Sequence, residues 1–136
     1  MNEVIEKRIR VFKESVRKLK EIYEKGKTQF MEDWTLQDSA LRNFQVSIEA
    51  LADIGNHLIS EKNWDRPSGY QEIVKVLNER GSIPDDFFEI ASSIMGFRNI
   101  IVHEYLYLDM EKVFENVSRI KDLEKFLKHL LDLWET

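Results

Sequence analysis

The 136-residue sequence is 43% hydrophobic and 33% charged, contains no cysteine and carries a formal net charge of −5. This composition indicates one soluble globular domain over residues 1–136, and it excludes a disulfide framework, a zinc–thiolate site and a cysteine nucleophile. No signal peptide and no apolar run near the roughly 18 residues of a membrane span is visible, so we expect a cytoplasmic protein without a membrane-spanning segment. The acidity argues against a surface that coats nucleic acid, but it is compatible with a local basic cleft.

Periodic apolar residues predict a long first helix that ends at Gly26. Its buried stripe is expected at Ile5, Ile9, Phe12, Val16, Leu19 and Tyr23. Residues 27–33 are expected to form a linker. The following Thr35-Leu36-Gln37-Asp38 resembles a capping box and would open the second helix.

The second helix carries an apolar and a polar pattern side by side. Its apolar stripe is Leu41, Phe44, Ile48, Leu51, Gly55 and Leu58, and its polar stripe is Arg42, Gln45, Glu49, Asp53 and His57. The polar stripe is a solvated face, the lining of a functional site or a polar dimer seam, and periodicity leaves all three open. Asp53 and His57 lie four residues apart and could pair. Two such residues are too few for a metal site, so neither a metal nor a cofactor is expected.

A break at residues 63–67 should separate the second helix from a short one. Ser68-Gly69-Tyr70-Gln71 reads as its capping box, and Gly81 should end it. Pro84 and the acidic pair Asp85 and Asp86 suit the first turn of the next helix. That helix should be largely buried and should continue, or kink, at Gly96.

The last helix is expected to run from about Met110 to near the end of the chain, with Asp109 as its N-cap. His129 on this helix is expected at the surface. Together the patterns predict an all-α fold, an up-and-down bundle of about four long helices with one or two short ones.

The stretch Gly96-Phe97-Arg98-Asn99-Ile100-Ile101-Val102-His103-Glu104-Tyr105 concentrates residues that can do chemistry. Arg98 carries a permanent cation whose fork of donors suits a phosphate, and the imidazole of a histidine such as His103 can take or give a proton near neutral pH. Five residues turn a straight helix by about 500°, so the two side chains would lie roughly 140° apart. Either the helix ends near His103, or the working site combines copies from two chains. Composition and spacing alone favour a structural histidine and a surface arginine over a functional site.

The run from Phe97 to Tyr105 resembles the R-x4-H-x-Y signature of the HEPN superfamily, most closely its HepT branch of small helical toxins. Residues 40–50 and Leu108-Asp109 also resemble parts of that family. The resemblance implies a HEPN-like fold and a homodimer that cleaves RNA without a metal, with Arg98 on the scissile phosphate and His103 as general acid or base. Asn99 would hold the local geometry. Supporting roles in lining the site would fall to residues of the polar stripe, namely Arg42, Glu49 and Asp53.

The resemblance also implies a partner, a minimal nucleotidyltransferase (MNT) that serves as antitoxin in a type VII toxin–antitoxin pair. This enzyme would neutralise the toxin by AMPylation of Tyr105, and Tyr107 is a weaker acceptor because it falls outside the motif. Apart from the resemblance, Tyr105 is expected to pack at the bundle edge with its hydroxyl at the surface. A second hypothesis is a non-catalytic nucleotide- or partner-binding subunit of a minimal nucleotidyltransferase, in which Arg98 and His103 bind a nucleotide or stabilise an interface.

Overall fold

The computed structural model describes residues 2–135, which form seven α-helices and one 3-10 turn without any strand. In chain order these are α1 (Glu3–Lys25), α2 (Lys27–Glu32), α3 (Trp34–Glu61), α4 (Tyr70–Glu79), α5 (Asp85–His103), the 3-10 turn (Tyr105–Tyr107), α6 (Met110–Val117) and α7 (Ile120–Trp134). The all-α bundle and its four long helices, α1, α3, α5 and α7, are confirmed. Three short helices occur within the described residues, where one or two were expected. No described helix has the length and apolarity needed to cross a membrane.

The core is built around the antiparallel pair α1 and α3, the most extensive helix contact in the bundle. Every helix contributes buried side chains to this core, and its largest members are Phe12, Phe30, Phe44, Phe87 and Phe126. The apolar stripe predicted on the second helix is buried in α3. On α1 the stripe is wrong at one end, because Ile22 is buried while Tyr23 is half exposed and stacks on Phe114 with ring centroids 6.0 Å apart.

Two predicted boundaries around α2 and α3 are wrong. Residues 27–32 form a helix instead of a linker, because Phe30 is fully buried and anchors the segment to the core. Helix α3 begins before the expected capping box, at Trp34, and its N-cap is Asp33, whose carboxylate accepts from the Thr35 amide at 2.9 Å. Aspartate is among the best N-cap residues, so it defines the start of α3.

Between α3 and α4 the expected break at residues 63–67 is confirmed, but the capping box is not. Gly69 stands at the N-cap of α4 without a side-chain cap, and the Ser68 hydroxyl donates to the Glu72 carboxylate at 2.7 Å. Helix α4 ends at Glu79, and Gly81 follows with φ of 83°, a conformation that glycine adopts readily.

Helix α5 positions the motif, and it runs through Gly96 without a break. Asp85 and Asp86 lie in its first turn as expected. The prediction that this helix is largely buried is only partly right. Its buried residues are Phe87, Ala91, Met95 and Ile101, whereas the apolar side chains of Ile90, Ile100 and Val102 are exposed.

The expected last helix is divided into α6 and α7 at Ser118 and Arg119. The Asp109 N-cap is confirmed, because its carboxylate accepts from the Glu111 amide at 2.9 Å. The prediction for His129 is wrong. Its ring lies 5.0 Å from that of Phe87, and its Nε2 is buried without a hydrogen-bond partner among the described residues.

Candidate functional site

Arg98 of α5 is held by a carboxylate on α3. Its Nε and Nη2 both donate to Oε2 of Glu49, at 3.1 and 2.8 Å. Both side chains are mostly buried, with exposed fractions of 20% for Arg98 and 32% for Glu49. A charge-assisted pair in a partly dry setting fixes the guanidinium more firmly than a surface ion pair would.

Two further contacts complete the setting of this guanidinium. Its Nη1 donates to Asn99 at 3.4 Å, and its central carbon lies 4.5 Å from the ring centroid of Tyr70. Burial raises the pKa of Tyr70, while the charge of Arg98 acts in the opposite direction. A guanidinium has five N–H donors, and the three bonds to Glu49 and Asn99 leave two of them for an incoming phosphate.

His103 is the last residue of α5, and its side chain is exposed. The amide of the next residue, Glu104, donates to the Ile100 carbonyl at 2.8 Å and caps the helix. The helix therefore ends at His103, but Arg98 and His103 both lie within α5, so their five-residue spacing still places the two side chains on different sides of the helix. Among residues 2–135 no hydrogen bond or ion pair reaches the His103 side chain, and none joins it to Arg98.

Tyr105 lies just beyond the helix end and is also anchored to α3. Its hydroxyl donates to Oδ1 of Asp38 at 3.1 Å, and the ring is half exposed. This hydrogen bond and the negative charge of Asp38 raise the pKa of Tyr105. Arg42 and Gln45 line the same groove, which has a volume of about 390 Å³.

The polar stripe of α3 is thus divided among three roles. Glu49 binds Arg98, and Arg42 lies in the groove beside Tyr105. Asp53 pairs with Arg8 of α1 at 3.2 Å and not with His57, so the expected pairing on α3 is wrong. The negative charge of Asp53 also acts to raise the pKa of Tyr70, the residue whose ring contacts Arg98. The described residues include no cluster of three or more histidines or carboxylates that could hold a metal.

Sequence reasoning missed two residues that contact the motif. Tyr70 was assigned only to a capping segment, and Asp38 only to the opening of the second helix. Both touch the motif from other helices, so no local pattern revealed them. One feature of the sequence could have pointed to Asp38. It lies about one turn before Arg42 and two turns before Gln45, so the helical period places it on the same face of the helix.

Several large apolar side chains close to His103 in the chain are exposed. Ile100 and Val102 are 41% and 39% exposed, and Leu106 and Tyr107 are 85% and 88% exposed. Where exposed apolar side chains lie together, they mark surfaces that other molecules cover.

Comparison with known proteins gives consistent matches over nearly the whole chain. The profile of a family described as Ribonuclease HepT-like matches residues 12–130. The mRNA nuclease HepT of Shewanella oneidensis is 30% identical over 128 residues, which is 93% of this chain and 96% of that protein. The fold matches a tri-AMPylated HEPN toxin of Shewanella oneidensis in complex with its MNT antitoxin, with a TM-score of 0.88, 29% identity and coverage of 97% and 99% of the two chains. A toxin–antitoxin complex with AMP-PNP matches with a TM-score of 0.87, 29% identity and coverage of 96% and 99%. The resemblance seen in the motif is confirmed by these matches.

Proposed function

This chain belongs to the Ribonuclease HepT-like family, and from that membership we propose that it is a metal-independent endoribonuclease, the toxin of a type VII toxin–antitoxin pair. The observation that carries the proposal is the placement of Arg98. Its guanidinium is oriented by Glu49 and Tyr70 while two donors stay free, and it lies in the same two final turns of α5 as His103.

The chemistry needs only groups of this kind and the 2′-hydroxyl of the RNA. His103 takes the proton of the 2′-hydroxyl, the 2′-oxygen forms a bond to phosphorus, and the bond from phosphorus to the 5′-oxygen breaks. The products are a 2′,3′-cyclic phosphate and a 5′-hydroxyl, to which an imidazolium returns a proton. Arg98 stabilises the charge that grows on the phosphoryl oxygens.

Two imidazoles are available if the site is formed by a homodimer. One chain supplies a single His103, exposed at the end of α5 and not bonded to Arg98. A two-fold axis near this end would bring a second copy of each residue into one cleft. It would also cover the apolar side chains at Ile100, Val102 and Leu106, whose exposure in one chain supports this arrangement.

The partner in this proposal is an MNT-type nucleotidyltransferase that attaches AMP to Tyr105. The tri-AMPylated toxin with its MNT antitoxin supports this assignment. Tyr105 is half exposed, and Arg42 in the adjoining groove offers a cation to the added phosphate. A charged, bulky adduct would occupy the approach to Arg98 and His103 and would repel RNA.

A direct assay decides the proposal. Protein purified without its partner and verified as unmodified by intact mass is incubated with RNA in EDTA, and the products are tested for cyclic phosphate ends. Cleavage that persists in EDTA and stops in Arg98→Ala supports the proposal. RNA that is bound normally yet stays intact would overturn it, and cleavage restored only by magnesium would overturn its metal-free chemistry.

Two observations favour the non-catalytic alternative, in which the chain is a nucleotide- or partner-binding subunit. Arg98 is already paired with Glu49, and the whole chain is acidic with a net charge of −5. Expression in cells separates the two functions. A toxin arrests growth alone and is rescued by the nucleotidyltransferase, whereas a binding subunit does neither.

A further inference from the structure

A polar cavity lies directly beside Arg98 and has no part in the chemistry described above. It is bounded by the end of α3, the loop of residues 62–69 and the start of α4, and its volume is about 640 Å³. Tyr70 connects the two places, since it lines the cavity and its ring also supports the Arg98 guanidinium at 4.5 Å. A ligand in this cavity is therefore a neighbour of any phosphate held by Arg98.

The lining of the cavity suits a nucleotide. Asn56 and Asn63 supply amides that can both donate and accept, and Trp64 and Tyr70 supply aromatic walls. Arg66 is the one charged residue in the lining. Within residues 2–135, the side chains of Asn56, Asn63 and Arg66 take part in no hydrogen bond or ion pair. Free polar groups beside aromatic rings are the combination that single-stranded nucleic acid requires.

Cations surround this cavity although the protein as a whole is acidic. Arg98 lies against Tyr70, and Arg80 lies over the Trp64 ring at 5.2 Å. With Arg66, three arginines lie in or against the lining of this cavity. A local group of cations of this kind is how a chain with a net charge of −5 can bind RNA over a narrow site.

The other cavities differ in their charged groups. The groove beside Tyr105 includes the carboxylate of Asp38 beside Arg42. The cavity between α1 and α7 mixes the carboxylates of Glu124, Asp132 and Glu135 with Lys13, Arg17, Lys20 and Lys128. The lining of the cavity beside Tyr70 includes no carboxylate.

We propose that the cavity formed by Asn56, Asn63, Trp64, Arg66 and Tyr70 binds one nucleotide of the RNA strand next to the scissile phosphate. Its base lies among the aromatic and amide groups, and Arg66 pairs with its phosphate. The volume falls in the range of small-molecule sites, roughly 300–1,000 Å³. This inference rests on the proposed function, because it takes RNA as the ligand of the Arg98 site.

The experiment measures binding of fluorescent single-stranded RNA by anisotropy in the His103→Ala background, where cleavage does not interfere. Arg66→Gln and Asn56→Leu are compared with Arg10→Gln, which removes the same charge from the exposed face of α1. Losing a charge-assisted contact to phosphate should weaken binding about tenfold in Arg66→Gln. Asn56→Leu should weaken it severalfold, and Arg10→Gln should change it less than twofold. Equal affinities in Arg66→Gln, Asn56→Leu and Arg10→Gln would overturn the inference.

The same set of proteins tests whether the variants are folded and whether the cavity binds an RNA strand or a free nucleotide. Thermal melts should be unchanged in Arg66→Gln, because its side chain bonds to no described residue. AMP is titrated alongside the RNA. Weaker binding of AMP than of RNA supports a subsite for the strand. AMP that binds as tightly as RNA, with the same loss in Arg66→Gln, would instead identify a site for free nucleotides and overturn the assignment.

Failure of the nucleotide subsite can be distinguished from failure of the proposed ribonuclease function. If the protein with intact His103 does not cleave RNA but Arg66→Gln weakens RNA binding, the subsite stands and the catalytic proposal fails. If cleavage is intact and Arg66→Gln binds and cleaves like Arg10→Gln, the subsite fails and the catalytic proposal stands.

Discussion

Arg98 donates two hydrogen bonds to one carboxylate oxygen of Glu49, which lies 49 positions earlier in the chain. This contact joins α5 to α3 and sets the direction of the guanidinium before any RNA arrives. Preorganisation of this kind is worth most in the transition state, because the cation need not reorient as charge develops. The same carboxylate also places a negative charge close to the position proposed for the scissile phosphate.

Glu49→Gln should therefore separate binding from catalysis. The neutral amide no longer repels the RNA phosphate, so KM should fall or stay level. Orientation of Arg98 is weakened, so kcat should drop by about tenfold, equivalent to about 1.4 kcal/mol. Steady-state cleavage of a short RNA gives both constants.

Asp53→Asn is the matched control for this change. It removes the same charge from the same helix one turn later, but Asp53 pairs with Arg8 and not with Arg98. Its kcat and KM should remain near those of the wild type. An equal loss of kcat in Asp53→Asn and Glu49→Gln would show that helix charge, and not the contact to Arg98, is responsible.

His103→Ala should abolish most cleavage without disturbing the fold. General acid–base groups typically contribute about 10²- to 10⁴-fold, and an exposed side chain rarely changes stability by more than about 0.5 kcal/mol. Cleavage rate and denaturant unfolding are measured on the same preparation, with His57→Ala on α3 as control. Cleavage that survives in His103→Ala would remove this residue from the mechanism.

The architecture could be predicted because the long helices have continuous apolar stripes. The six-residue stripes predicted on the first two long helices match the buried faces of α1 and α3, except at Tyr23 and the partly buried Ile9. The short helices could not be predicted in the same way, because they form only through tertiary contacts. The segment expected to be a linker forms a helix because Phe30 is buried in the core. The apolar pattern after Asp109 predicted one helix, but a break at Ser118 and Arg119 divides it into α6 and α7.

Part of the candidate site could be predicted from the sequence, because some of its residues are close together in the chain. Arg98 and His103 were found because they occupy one short motif. Tyr70 and Asp38 were not, because each reaches the motif from a distant helix. Asp53 was assigned to the polar stripe by helical periodicity, and its partner on α1 could not be predicted from that pattern.

His129→Leu should reduce the sensitivity of the fold to acid. Burial lowers the pKa of His129 below its ordinary value of about 6.5, so the neutral imidazole is the folded form. The unfolded protein therefore binds a proton at His129 at a higher pH than the folded protein does. The neutral side chain contributes fully to stability above about pH 6.5, and this contribution is lost as the pH falls through the pKa of His129 in the folded protein. The variant should lose less stability than the wild type between pH 7.5 and pH 5. At neutral pH it should gain up to about 1 kcal/mol, because Nε2 has no partner.

Urea unfolding at both pH values measures this difference, with His57→Leu as the control. His57 has no buried ring nitrogen that lacks a partner. If His129→Leu is as acid-sensitive as the wild type, burial of this imidazole does not govern the acid response.

Asp38→Asn should bring the pKa of Tyr105 back toward the ordinary value of about 10. The hydrogen bond to the Asp38 carboxylate and its negative charge both disfavour the phenolate, and the amide removes that charge. Titration of ¹³C-labelled tyrosine by NMR follows each ring, with Tyr105→Phe for assignment. An unchanged titration in Asp38→Asn would mean that the hydrogen bond does not persist in solution.

The last prediction separates Tyr105 from Tyr107 as the acceptor of AMP. Exposure alone favours Tyr107, which is 88% exposed against 50% for Tyr105. Position favours Tyr105, because its hydroxyl is fixed by Asp38 and it shares a groove with Arg42, a cation that can bind the attached phosphate. Intact mass after incubation with the nucleotidyltransferase and ATP should show additions of AMP on the wild type and on Tyr107→Phe, but none on Tyr105→Phe. The first addition forms a bond from the tyrosine oxygen to the α-phosphorus of ATP and releases pyrophosphate. Additions that persist in Tyr105→Phe and vanish in Tyr107→Phe would assign the modification to the more exposed ring.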